Sequence, residues 1–147
     1  MRRAGRRRSS IIAGLLVGWI AAGIEVSGVS RGAAAPFSPE TRWRLVELVP
    51  EIPLGAVRVE AVFDADARRV SGSAGCNRFT GSFTTNVDRL TIGPLATTRM
   101  ACTAPQMRIE AAVLRTLAAA QTWTQSEATL VIETRTGESL TFSSAPD

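Results

Sequence analysis

The 147-residue chain has no histidine and no lysine, and it has only two cysteines, Cys76 and Cys102. Without histidine there is no Ser-His-Asp or Cys-His arrangement, no imidazole acid–base catalysis and no histidine-ligated zinc. Two cysteines alone cannot complete a structural zinc site. Neither a phosphate-binding loop nor the glycine fingerprint of a dinucleotide site is present. Asp64 and Asp66 fall in a polar stretch that reads as a solvated turn rather than a calcium loop. No catalytic residues, cofactor or metal are expected, and the protein is not expected to be an enzyme.

A long hydrophobic run is also missing. Ile11 to Ile24 carries no charge, but its fourteen residues fall short of the roughly 20 that a spanning helix needs. Arg2, Arg3, Arg6, Arg7 and Arg8 precede it, and the small residues of "RGAAAP" follow. Basic residues, a short apolar run and small residues in this order predict an export signal, residues 1–35, with cleavage after Ala34 or Ala35. The alternative is an uncleaved membrane anchor. Arg7-Arg8-Ser9-Ser10-Ile11 also fits a twin-arginine signal. The product is expected in the periplasm or outside the cell, as a monomer that touches membrane only through the signal segment.

The formal charge of +4 resides in that leader. Setting aside its six arginines and Glu25 leaves eleven arginines against twelve acids, a net charge near −1. The basic balance therefore gives no support for a nucleic-acid partner. That every basic residue is arginine reads as genomic base composition.

After a flexible lead-in (36–41), residues 42–143 form one domain. "WRLVELV" (43–49) places Trp43, Leu45 and Val49 on one face, and "VRVEAVF" (57–63) places Val57, Val59, Ala61 and Phe63 on one face. "RVSGSAG" (69–75) is a strand of small residues whose glycines permit bending or close backbone approach. Short strands follow around Phe79–Phe83 and Leu90–Ile92. "ATLVIET" (128–134) and "ESLTF" (138–142) make a hairpin through Gly137.

Thr103 to Ala120 has helical spacing, with Thr103 as cap, Gln106 three places on and Pro105 in the first turn. Ile109, Val113, Leu117, Leu114, Met107, Ala118 and Ala111 share one arc, with Arg108, Ala112, Arg115 and Thr116 opposite. One helix among seven to eight short strands predicts an α+β domain. The expected form is a strongly bent, mostly antiparallel half-barrel wrapped around the helix.

Export and an even cysteine count favour a bond between Cys76 and Cys102, closing a loop worth about 3 kcal/mol. Two free buried thiols, or thiol chemistry at Cys76, are the alternatives.

The runs "VSGSAGCNRFTGSF", "LTIGPLATTRMAC" and "EAAVLRTL" together resemble the META domain, the family that includes the HslJ heat-inducible proteins. The resemblance extends from Trp43 to Phe142. It implies a small, often exported or membrane-attached domain linked to stress or envelope integrity, a bent antiparallel sheet on a helix, and no established enzymatic activity. Gly75, Cys76, Asn77, Thr97, Thr98, Met100, Cys102 and Glu110 are the motif positions it covers.

Two polar motif residues have competing readings. Asn77 is either a turn residue bonded to nearby backbone or a ligand-facing amide. Glu110 lies inside the apolar arc of the helix, where a carboxylate without a partner costs several kcal/mol. It is expected to be held by Arg99, Arg78 or backbone N–H groups of residues 97–102, or else to be a binding-site carboxylate. The function expected is a binding module of the cell envelope. Its partner would be an envelope protein or a small apolar ligand, in a groove for which Trp43, Trp123, Phe79 and Phe83 are the candidate lining, at least two of the four being expected in the core instead. The alternative is a thiol oxidoreductase or hydrolase using Cys76, which would lack a CxxC motif and a dedicated base.

Overall fold

The structure, a computed structural model, describes Phe37, residues 41–126 and residues 128–144; the expected export signal, residues 1–35, lies outside the described residues. Its elements are β1 (Arg42–Val49), β2 (Glu60–Asp64), β3 (Arg69–Ser73), β4 (Arg78–Asn86), β5 (Arg89–Ile92), β6 (Ala96–Thr97), α1 (Ala104–Ala118), β7 (Ala120–Gln125), β8 (Thr129–Thr134) and β9 (Ser139–Ser144).

The strands pair in the order β3-β2-β1-β9-β8-β7-β5-β4, and β4 pairs back onto β3. The result is a closed antiparallel barrel of eight strands, with the two-residue β6 as a ninth strand on β4. This corrects the expected half-barrel. The missed strand, β7, is the one that joins β5 to β8 and completes the circle. Its sequence, "AQTWTQ", has one large apolar residue among polar ones, so it gives no alternating signal.

The barrel interior is filled by side chains, as expected for eight strands. Trp43, Phe63, Leu90, Leu130, Ile132, Leu140 and Phe142 are all buried there. The face of β1 differs from expectation in one respect. A register shift between Leu45 and Glu47 turns Leu48 inward and leaves Val49 exposed.

The helix is not wrapped by the sheet. Strand directions place the β3–β4 and β8–β9 turns at the same end of the barrel. Helix α1 is bonded to both, through Glu110 to Asn77 and through Arg115 to Glu138, so it lies across that end. Its buried residues are Ile109, Glu110, Ala112, Val113, Thr116 and Leu117. Compared with the expected arc, the helix is rotated so that Ala112 and Thr116 face in while Met107, Ala111 and Ala118 are exposed. Thr116 is accommodated because its hydroxyl donates to the Ala112 carbonyl at 3.0 Å. Toward the other end, Phe37 stacks on Phe63 and Trp123 and meets Phe83 edge-on, with centroid separations of 4.6, 4.4 and 5.5 Å.

Candidate functional site

The β3–β4 turn carries the "GCN" motif and brings the other motif segments together. Gly75 has φ +104°, and a Cβ there would meet Val57 Cγ1 at 2.7 Å, so the turn requires glycine. The Asn77 carbonyl accepts the Ala74 N–H at 2.9 Å and closes the turn. Cys76 is bonded to Cys102, with Cα atoms 6.0 Å apart, and there is no free cysteine among the described residues. The disulfide ties the turn to the residues just before α1. In this bond Cys76 carries no free thiol for the hydrolase alternative.

Asn77 is buried and uses its whole amide. Its Nδ2 donates to Glu110 Oε1 at 2.9 Å and to the Met100 carbonyl at 3.2 Å. Its Oδ1 accepts from Met100 N at 2.7 Å and from the Thr98 hydroxyl at 2.9 Å. Its backbone N–H donates to Glu110 Oε2 at 2.6 Å. Every lone pair or N–H that could face a ligand is turned inward, so the ligand-facing reading of Asn77 has no free atoms to use.

Glu110 is therefore held by Asn77 and not by Arg99, Arg78 or backbone N–H groups of residues 97–102. Helix rotation moves it from the middle of the buried arc to its edge, where the turn meets it. Both carboxylate oxygens receive an N–H bond, and this compensates the cost of burial. Gln106 adds a further tie. Its Nε2 donates to the Gly75 carbonyl at 3.4 Å, and its Oε1 takes the Thr103 N–H at 3.1 Å and hydroxyl at 2.8 Å.

Thr98 extends this clamp to the barrel's outer surface. Its hydroxyl accepts the Arg78 N–H at 3.1 Å and its N–H donates to the Arg78 carbonyl at 3.0 Å, which seats residues 96–98 along β4. The motif positions Gly75, Cys76, Asn77, Thr98, Met100, Cys102 and Glu110 thus form one continuous unit. Thr97 is paired opposite Phe79 in β6, and the Met100 side chain is exposed.

Beside the clamp is a surface trough of about 570 Å³. Strand register explains it. One outward row across four strands is Arg44, Glu60, Ser73, Arg78; the next is Arg42, Val62, Ser71, Thr80, Ala96. Small residues occupy β3 at the middle of both rows, with Gly72 between them, so the surface dips along β3. Glycine at 72 also lets β2 and β3 approach closely, since a Cβ there would strike the Glu60 carbonyl. Arg42, Glu60 and Val62 form one wall; Arg78, Thr80 and β6 form the other. Glu60 bridges Arg42 at 3.6 Å and Arg44 at 3.8 Å. Arg78 is paired with no carboxylate among the described residues.

Of the four candidate groove aromatics, more than the expected two belong to the core. Trp43, Trp123 and Phe83 are in the barrel core, and only Phe79, itself 3% exposed, touches the trough. The trough was legible in principle from the outward Ser71 and Ser73 of "RVSGS", but only once the β2–β3–β4 register is known. Phe37 gave no signal, being a lone aromatic in a Pro-rich stretch. Among the described residues no group of three or more acids and cysteines is placed to hold a metal.

Three solved structures share the fold. An NMR structure of a protein from Burkholderia xenovorans is 21% identical, with a TM-score of 0.60, covering 98% of this chain and 99% of that one. A second NMR structure is 25% identical, with a TM-score of 0.57, over 71% of this chain and 89% of the other. The crystal structure of a DUF4847 family protein from Bacteroides vulgatus is 11% identical, with a TM-score of 0.54, over 74% and 95%. A search of curated proteins finds no match. The sequence matches the META domain over residues 35–147. The chain belongs to the META domain family.

Proposed function

We propose that the protein is an exported, non-enzymatic binding module of the cell envelope, and that it binds through the trough over β3. The trough carries the proposal: it is the surface that the motif clamp holds in shape, through Thr98 and β6. It offers hydroxyls and guanidinium groups, which can grip a ligand, while the chain's only sulfur pair is committed to a disulfide. Export is supported by the basic leader followed by a short apolar run. A stress-associated role is the expectation that family membership adds.

In vivo photo-crosslinking tests this reading. A photoreactive residue replacing Ser71 should give discrete envelope adducts, and one replacing Arg108, on the exposed helix face, should not. Equal adducts from both positions, or none from Ser71, would count against the trough.

A further inference from the structure

We infer that the trough takes an extended peptide segment bearing carboxylate side chains. This rests on the trough being the binding surface and adds the chemistry of its occupant.

Shape favours an extended chain. The trough's floor is Ser71, Gly72 and Ser73 of β3, which span about 10 Å at the usual strand rise. Glu60 and Val62 on β2 and Arg78 and Thr80 on β4 flank that floor, their strands only about 10 Å apart, with Arg42 on β1 and residues 96–98 outside them. A helix needs about 10–12 Å with its side chains and cannot enter. One extended strand can. Ser71, Ser73 and Thr80 line the trough, and their hydroxyls can both donate to and accept from a peptide backbone.

Charge favours carboxylates. Arg42 and Arg44 share a single Glu60, and Arg78 on the opposite wall has no carboxylate partner among the described residues. Arg42 and Glu60 on one wall and Arg78 on the other leave one positive charge in excess in the lining, with Arg44 beside Glu60 just outside it, in a domain whose net charge is near −1. The Arg42–Glu60 and Arg44–Glu60 contacts are long and their arginines solvent-exposed, so both pairs are weak and can be exchanged for a ligand carboxylate. Arg78 can take a carboxylate in a bidentate bond without giving up a partner. Three arginines in a near-neutral domain are too few to track a phosphate polymer, which rewards each neutralised charge.

The test is an amide chemical-shift titration of the purified protein with three extended peptides of about eight residues, long enough to cross the trough's floor with both ends outside it. One alternates Glu and Ser, one replaces Glu by Gln, and one replaces Glu by Lys. The Glu peptide should shift Ser71, Ser73, Thr80 and Thr98, and should bind about tenfold more tightly than the Gln peptide, the scale expected for charge-assisted bonds. Arg78→Gln should lose most of that difference, with Arg108→Gln as the unaffected control. Binding should weaken as salt is raised. Equal binding of Glu and Gln peptides at those residues would overturn the carboxylate inference and leave the trough as the site. Shifts elsewhere, or none with any peptide, would overturn both.

Discussion

Replacing Glu110 by glutamine keeps the side chain's size and shape and changes what Asn77 meets. In the native clamp, Glu110 Oε2 takes the Asn77 backbone N–H at 2.6 Å and Oε1 takes its side-chain amide at 2.9 Å. Glutamine has one oxygen and one NH2, so it can satisfy one donor and sets an N–H against the other. The lost bond and the buried unpaired donor together cost on the order of 1–3 kcal/mol. For a domain of about 100 residues that lowers Tm by roughly 4–12 °C. Glu110→Ala strands both donors and should cost as much or more. A double-mutant cycle with Asn77→Ala should show a coupling of about 1–3 kcal/mol, since the two side chains act on each other. Thermal unfolding followed by circular dichroism is the assay. An unchanged Tm for Glu110→Gln would refute the clamp and make Glu110 a candidate ligand group.

Three further outcomes follow from the same geometry. Cys76→Ser should lower stability by about 3 kcal/mol in denaturant titrations while leaving the far-ultraviolet spectrum native, because the 26-residue separation closes a loop in the unfolded chain. Phe37→Ala should cost about 3 kcal/mol and shift Trp123 fluorescence to the red, because Phe37 stacks on that indole; an unmoved emission would mean that Phe37 does not cap the barrel. N-terminal sequencing of the exported protein should begin at Ala35 or Pro36, and a start at Met1 in the envelope fraction would restore the anchor reading.

The parts of the fold that were legible are those with a local signal. The strands around β1, β2, β8 and β9 alternate clearly, and α1 announces itself through Thr103, Pro105 and Gln106. Closure of the barrel was not legible because β7 depends on tertiary pairing rather than on its own pattern. The bulge in β1, which exchanges Val49 for Leu48, has no signature in "WRLVELV". At the site, the oddity of Glu110 was visible as a carboxylate in an apolar arc, and Cys76–Cys102 as an even pair in a chain expected to be exported. Its true partner was not visible. Asn77 is 33 residues away from Glu110, and only the register of β3 with β4 and the rotation of α1 bring the two together. An arginine looked the better candidate because charge pairing is easier to anticipate than an asparagine with every hydrogen-bonding atom in use.

Native-state hydrogen exchange at the Asn77 and Met100 amides tests most directly whether the motif residues form a clamp. The Asn77 N–H donates to a buried carboxylate and the Met100 N–H to the Asn77 side chain. If the clamp is part of the folded core, both should exchange only through global unfolding, with protection equal to that of the slowest barrel amides. Glu110→Gln should lower the two together. Fast exchange at both positions in the native protein, at the rate of an exposed loop, would contradict the account.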